Sequence, residues 1–133
     1  MQAKSTINIL LVVRKRANPS FWSPEFRERL SSIGELTLLE DTADWTDETL
    51  AARCREFDVI LTDWATPTLP VALAHQPGRL RYICHAKGSI RDVVPRRLIE
   101  KGIVVSNWGD IPADGVAEGA FALLLTVLTQ VIP

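Results

Sequence analysis

The sequence is poor in the residues that build metal and redox sites. It carries two cysteines and two histidines in 133 residues, and Cys54 and Cys84 stand far apart with no C-x-x-C spacing. That argues against a zinc knuckle and a dithiol motif, and it fits a reduced, cytoplasmic setting. No metal ligands are expected. An excess of charge is missing too: fifteen Lys and Arg against sixteen Asp and Glu give a net charge of -1. Nothing in that balance asks for a nucleic-acid partner. The basic clusters at Arg14 to Arg16 and at Arg96 and Arg97 are short, as solvated surface is. Long apolar runs are absent as well. The run from Ile9 to Val13 is cut by Arg14, too early for a signal-peptide core. The segment from Val116 to Pro133 is broken by Glu118, Thr126, Thr129 and Gln130, which argues against a membrane span and reads as a buried helix. Finally, no G-x-G-x-x-G occurs anywhere, so the dinucleotide fingerprint is missing.

What is present suits one globular domain over 1–133, since 47% hydrophobic residues are enough for a real core. Five apolar runs read as strands: Ile7 to Val13, Leu36 to Leu39, Val59 to Thr62, Tyr82 to Cys84, and Ile103 to Ser106. After the first interval their starts recur about every 22 residues, the spacing of βαβ units with parallel strands. The runs are nearly continuous rather than alternating, so helices are expected on both sheet faces.

The intervening segments supply those helices. Ser23 is placed as an N-cap with Pro24 at the first helical position; Phe26, Leu30 and Ile33 then share one face before Gly34 stops the helix. Leu50, Cys54 and Phe57 repeat the i, i+4, i+7 spacing. Leu69 to Gln76, hemmed by prolines, reads as a short or irregular helix, and a helix starting near Val93 or Val94 ends at Gly102. The last helix is expected over about 112–132. Five such units predict an α/β fold, a flavodoxin-like doubly wound parallel sheet of order 2-1-3-4-5 with a long C-terminal helix.

Ligands of such sheets bind beyond the carboxyl ends of the strands. Here those ends are "RKRANP", Glu40 and Asp41, "DWATP", "HAKGS" and "NWGDIP", a gathering of polar, small and aromatic residues. The knuckle after the fourth strand is the most pointed: Gly88 lets the backbone approach a ligand, and successive N–H groups there favour an anion.

From Leu80 onward the chain resembles the D-isomer-specific 2-hydroxyacid dehydrogenases. The matching elements are the strand and Gly-containing loop Ile83 to Ile90, the segment "EKGIVVSN" from Glu100 to Asn107, and Val116, Ala117 and Glu118 opening the long helix. The resemblance implies the substrate domain of a two-domain oxidoreductase that uses NAD or NADP and a small 2-hydroxy or 2-oxo acid. It also implies that the nucleotide-binding domain and the catalytic residues lie outside this chain, which is then a truncated piece, inactive alone and binding no cofactor itself. Neither His75 nor His85 inherits a catalytic role.

What the resemblance carries over is a carboxylate cradle at Lys87, Gly88 and Ser89. Relatives often flank the middle residue with glycines; here the glycine is central. Pro112 stands where relatives often have an asparagine, and Asp63 and Trp64 follow the third strand. The candidate substrate-binding residues are therefore Lys87, Gly88, Ser89, Trp64, Asp63 and His85. Asp63 suits a turn or a substrate hydroxyl better than a bound carboxylate, which it would repel.

Two readings from other classes compete. One is a flavodoxin-like non-catalytic binding or interaction module. The other is a response-regulator receiver with Asp63 as phosphoacceptor, which would need an acidic pair after the first strand, where "RKRANP" stands instead. The last helix, apolar on nearly all sides, is expected to pair two copies into a homodimer.

Overall fold

A computed structural model describes residues 6–12, 23–39 and 44–129 of the chain. The strands are β1 (Ile7–Val12), β2 (Gly34–Leu39), β3 (Val59–Thr62), β4 (Tyr82–His85) and β5 (Val104–Ser106). The helices are α1 (Pro24–Ser31), α2 (Asp47–Cys54), α3 (Arg96–Glu100) and α4 (Ala113–Thr129), with a 3-10 turn at Val71–Ala74. All strand pairs are parallel and the order is β2-β1-β3-β4-β5. The expected sheet is present. The basic stretch after β1, with Glu40 and Asp41 after β2, lies outside the described residues.

The two faces of the sheet differ sharply. Leu10, Ile60, Ile83 and Val105 stand in one register row, and α2, the 3-10 turn and α3 close over them. Leu50, Cys54 and Phe57 all bury there, as their spacing predicts, together with Leu69, Leu73, Leu80 and Leu98. Each such Leu or Ile contributes about 1.5–3 kcal/mol of apolar burial. Burial also pushes the Cys54 thiol up to about 12, so it packs as a small hydrophobe.

Among the described residues the opposite face holds a small core, Ile9, Leu11, Leu61 and Ala86, with Leu30 of α1 against it. Val104 at its far edge is 63% exposed. Covering by helices on both faces is thus met fully on one side and partly on the other. α1 begins as read, with Ser23 Oγ accepting from the Phe26 amide at 3.2 Å and Pro24 at the first position. Its apolar face is shallow, because Phe26 and Ile33 remain exposed. Gly34 does not cap this helix; it opens β2. A Cβ there would lie 2.2 Å from the Ile7 carbonyl oxygen, so the close pairing of β1 and β2 requires glycine.

Two helices depart from expectation. α3 starts at Arg96 instead of Val93 or Val94, because a proline disfavours helical backbone at the residue before it, here Val94, and Pro95 itself stands as the N-cap with ψ 132°. The buried C-terminal helix is not buried. No residue of α4 is, and Val116, Leu123, Val127 and Leu128 are each 68% or more exposed. The turns from 109 to 112 lead out of the carboxyl edge of β5 into α4, which projects from the sheet rather than returning over it. No helix among the described residues is long and apolar enough to cross a membrane.

Candidate functional site

The amino and carboxyl edges of the sheet are built from different chemistry. At the amino edge Asp58 accepts from the Asn8 amide at 2.9 Å and from Arg79 at 2.8 Å. The Arg79 guanidinium and the Asn8 amide together hold the Asp58 carboxyl below its usual range. That is a solvated structural clasp.

Among the described residues, the buried polar and charged side chains are Thr62, Asp63, Thr66 and His85, and all four gather at the carboxyl ends of β3 and β4. Thr66 Oγ1 donates to the Val12 carbonyl at 2.6 Å and accepts from the Asp63 amide at 2.9 Å. Asp63 Oδ1 accepts from the amides of Ala65 and Thr66 at 2.8 and 3.1 Å. Asp63 therefore closes the turn after β3, as its residue type suggested. Its burial and these bonds also leave it poorly presented as a phosphoacceptor.

His85 ends β4 at 0% exposure. Its Nδ1 lies 3.0 Å from Thr62 Oγ1, while Nε2 has no hydrogen-bond partner among the described residues. Burial lowers its proton affinity below the ordinary imidazole value, opposed by the Asp63 charge and by the nearby Ser89 main chain, with Lys87 adding to the lowering. The neutral ring is thus favoured.

The knuckle beyond His85 is fixed from two sides. The Ala86 amide donates to the Thr62 carbonyl at 2.7 Å, and the Trp108 amide donates to the Lys87 carbonyl at 3.0 Å. Asn107 Nδ2 donates to the Gly88 carbonyl, while its Oδ1 accepts from the Gly109 amide at 3.1 Å. The carbonyls of the turn are thereby tied back to the end of β5. The amides of Gly88 and Ser89 donate to no protein group among the described residues. A Cβ built on Gly88 meets none of the described residues within 4 Å, so among them open space stands beside this backbone. Lys87 reaches across it: its Nζ lies 5.3 Å from the Trp64 ring centroid and 5.1 Å from that of Trp108.

All six sequence candidates therefore sit on one edge. Lys87, Gly88 and Ser89 form the turn, Trp64 braces the lysine, His85 lies beneath, and Asp63 is buried in the neighbouring turn. Thr62, Thr66, Asn107 and Trp108 were not singled out as site residues. Asn107 followed two positions later by Gly109 is the pattern of an Asx turn, a readable signal; the pairing of Thr62 with His85 needs the strand register. No group of His, Cys, Asp or Glu suited to a metal occurs among the described residues. A separate recess beside α2, lined by Asp44, Trp45, Arg53 and Glu56, contains none of the six.

Comparison with solved structures gives a consistent likeness. D-2-hydroxyisocaproate dehydrogenase superposes with a TM-score of 0.61 at 16% identity, over 92% of this chain and 36% of its own. The chain shares the fold of about a third of that protein. A phosphoglycerate oxidoreductase from Rhizobium etli gives 0.54 at 22% identity, over 90% and 36%. Another from Vibrio cholerae O395 gives 0.60 at 14%, over 91% and 36%. The chain spans little more than a third of the length of each. The resemblance to D-2-hydroxyacid dehydrogenases read from the sequence thus recurs in the three-dimensional fold. No protein-family model matches the chain, and no curated protein matches it by sequence.

Proposed function

We propose that this chain is the substrate domain of an NAD(P)-dependent oxidoreductase acting on small D-2-hydroxy or 2-oxo acids, and that the turn Lys87–Ser89 receives the acid's carboxylate. The observation that carries the reading is the pair of amides at Gly88 and Ser89. They have no protein acceptor among the described residues, their carbonyl partners are tied down, and they border open space at the carboxyl edge of a doubly wound sheet. Two fixed N–H donors and a nearby ammonium complement a carboxylate. The likeness in fold to the dehydrogenase and the two phosphoglycerate oxidoreductases supports the same reading by analogy.

The residues in hand do not fit a dinucleotide. The Gly88 turn runs into further turns from 91 to 93 instead of opening a helix, and no G-x-G-x-x-G is present. Hydride transfer would therefore need a second domain, and this chain's part is to bind and orient the acid. His85, buried and neutral, supports the turn from below. We further assign the exposed apolar α4 as the contact through which two copies of the isolated chain pair.

The test is direct. The 133-residue chain should show no NADH or NADPH oxidation with 2-oxo acids and no binding of either cofactor, while pyruvate or a longer 2-oxo acid shifts the amide resonances of Gly88 and Ser89. Turnover by the chain alone, or acid binding elsewhere, would refute the assignment. The non-catalytic module remains the second reading, favoured by the missing cofactor site. It predicts no acid-dependent shift at these amides.

A further inference from the structure

We infer that Asn107 couples the direction of α4 to the orientation of the Gly88 and Ser89 amides, so that whatever holds α4 also sets how the turn after β4 presents its donors. The inference goes beyond the substrate-domain reading and does not depend on what the turn binds.

The first step is the exit of α4. No residue of this helix is buried, so its direction is fixed where the chain leaves β5, between 107 and 112. Part of that junction closes on itself: the Ile111 amide donates to the Trp108 carbonyl at 3.3 Å, and the Ala113 amide to the Asp110 carbonyl at 2.9 Å. Its ties to the sheet edge end on consecutive carbonyls of the turn. The Trp108 amide donates to the Lys87 carbonyl at 3.0 Å, and Asn107 Nδ2 donates to the Gly88 carbonyl.

The second step is the peptide plane. No peptide bond among the described residues is cis, and a planar trans peptide points its N–H opposite to its C=O. The plane holding the Lys87 carbonyl therefore carries the Gly88 N–H, and the plane holding the Gly88 carbonyl carries the Ser89 N–H. Trp108 and Asn107 thus aim both donors away from the end of β5. Neither plane rotates without straining a bond to the junction.

The third step is the carboxamide of Asn107. Its Oδ1 accepts from the Gly109 amide at 3.1 Å, while its Nδ2 is the group bonded to Gly88. One planar group spans from the turn to Gly109, whose φ of 55° bends the chain towards α4. Left-handed backbone penalises a residue with a Cβ, and no described atom crowds this position, so a substitution there acts through the dihedral angle. α4 is about 25 Å long, so a rotation of about 10° at Gly109 carries its far end about 4 Å. A helix held elsewhere is a lever on the turn, and the turn acts on the helix in return. Asn107 is a positioning residue, acting through the peptide plane it holds.

The experiment is a double-mutant cycle read by NMR on the 13C- and 15N-labelled chain, with no ligand present. Gly109→Ala should shift the Gly88 carbonyl carbon and the Ser89 amide, although the added methyl meets no described residue within 4 Å. Asn107→Asp keeps an acceptor for the Gly109 amide and removes the donor to Gly88. In that background the Gly109→Ala shift should vanish at both nuclei. Asn107→Ala, which adds no charge, should abolish it as well. An asparagine that merely shapes the bend at 107–109 would be replaced by aspartate with the shift intact. Persistence of the shift in both backgrounds overturns the coupling, and so does its absence in the otherwise unmodified chain. Because no acid enters the cycle, either failure leaves the substrate-domain reading standing.

Discussion

Thr62 and His85 are register partners on β3 and β4, with Oγ1 and Nδ1 3.0 Å apart and neither side chain reaching solvent. The pair places a titratable ring at the base of the Lys87–Ser89 turn. The Ala86 amide, bonded to the Thr62 carbonyl at 2.7 Å, continues the same pairing by one residue. Any change in the charge of His85 is therefore felt where the acid is proposed to bind.

The first prediction follows from that burial. The folded-state proton affinity of His85 is lowered, chiefly by burial, whereas in the unfolded chain the ring titrates near 6.5. A lowered folded value means the unfolded state takes the proton first as pH falls. The stabilisation is fully present above about pH 6.5 and is lost progressively below it, at up to about 1.4 kcal/mol per pH unit, until the folded form also protonates. Urea midpoints measured between pH 7.5 and 5 should fall accordingly, and His85→Gln should flatten the slope. Ring NMR titration of the unmodified chain provides an independent check: a His85 midpoint at or above 6.5 would contradict the argument.

Gly34 and Gly88 should respond oppositely to substitution. A Cβ at position 34 would stand 2.2 Å from a backbone oxygen of β1. Relief demands a shift in strand pairing, so Gly34→Ala should cost about 1–3 kcal/mol. A Cβ at position 88 meets none of the described residues within 4 Å. Gly88→Val should leave the thermal midpoint within a few degrees, yet its isopropyl group would stand in front of the two amides and weaken acid binding about tenfold or more. In an enzyme containing this chain the same change should lower kcat/KM by a similar factor. Unchanged acid binding in Gly88→Val would remove the cradle.

Much of this fold is legible in the chain because both elements and order depend on local pattern. Val59 to Thr62 is a strand by composition alone, and the recurrence of such runs dictates parallel pairing. Ser23 and Pro24 announce a helix start that their bond to Phe26 fulfils. The carboxyl edge follows from topology, so the sequence alone puts Lys87, Gly88 and Ser89 just beyond the end of β4. What sequence does not reveal is which surface meets which. The stripe on α4 looks like a core helix because apolar periodicity records a need for a partner and not the partner's identity. Likewise Gly34 looks like a helix stop, since nothing local to it announces the approach of Ile7 from another strand. The double brace of Lys87 by Trp64 and Trp108 joins residues from three strand ends and has no signature along the chain.

Thr66 provides a test of the polar base beneath the site. Its hydroxyl donates to the Val12 carbonyl and accepts from the Asp63 amide, both buried. Thr66→Val keeps the volume and removes both bonds, leaving two buried groups unpaired at about 1–3 kcal/mol each. Chemical denaturation should register a loss of that order, whereas Thr66→Ser should restore most of it. A Thr66→Val chain as stable as the original would mean that water satisfies these groups.

The last prediction concerns α4. Its described residues include Val116, Phe121, Leu123, Leu124, Leu125, Val127 and Leu128, all exposed, and they leave no wholly polar side to the helix; Val131 and Ile132 lie outside the described residues. A second apolar patch is only part-covered by the described residues, on the face opposite α2 and α3, where Val104 is exposed and Tyr82 and Cys84 are half-buried. A 17-residue helix is about 25 Å long and can span that edge. Burying about 400 Å² on each of two helices is worth roughly 20 kcal/mol before association costs of about 4–15 kcal/mol. A two-fold pair, with each α4 lying against its counterpart or over the partner's bare sheet edge, satisfies both surfaces at once. Sedimentation at micromolar concentration should therefore give a dimer or larger species, and Leu124→Glu or Leu128→Glu should shift it towards monomer. A strictly monomeric chain would show instead that α4 turns back over its own β4 and β5, which protection of the Val104 amide from hydrogen exchange would then report.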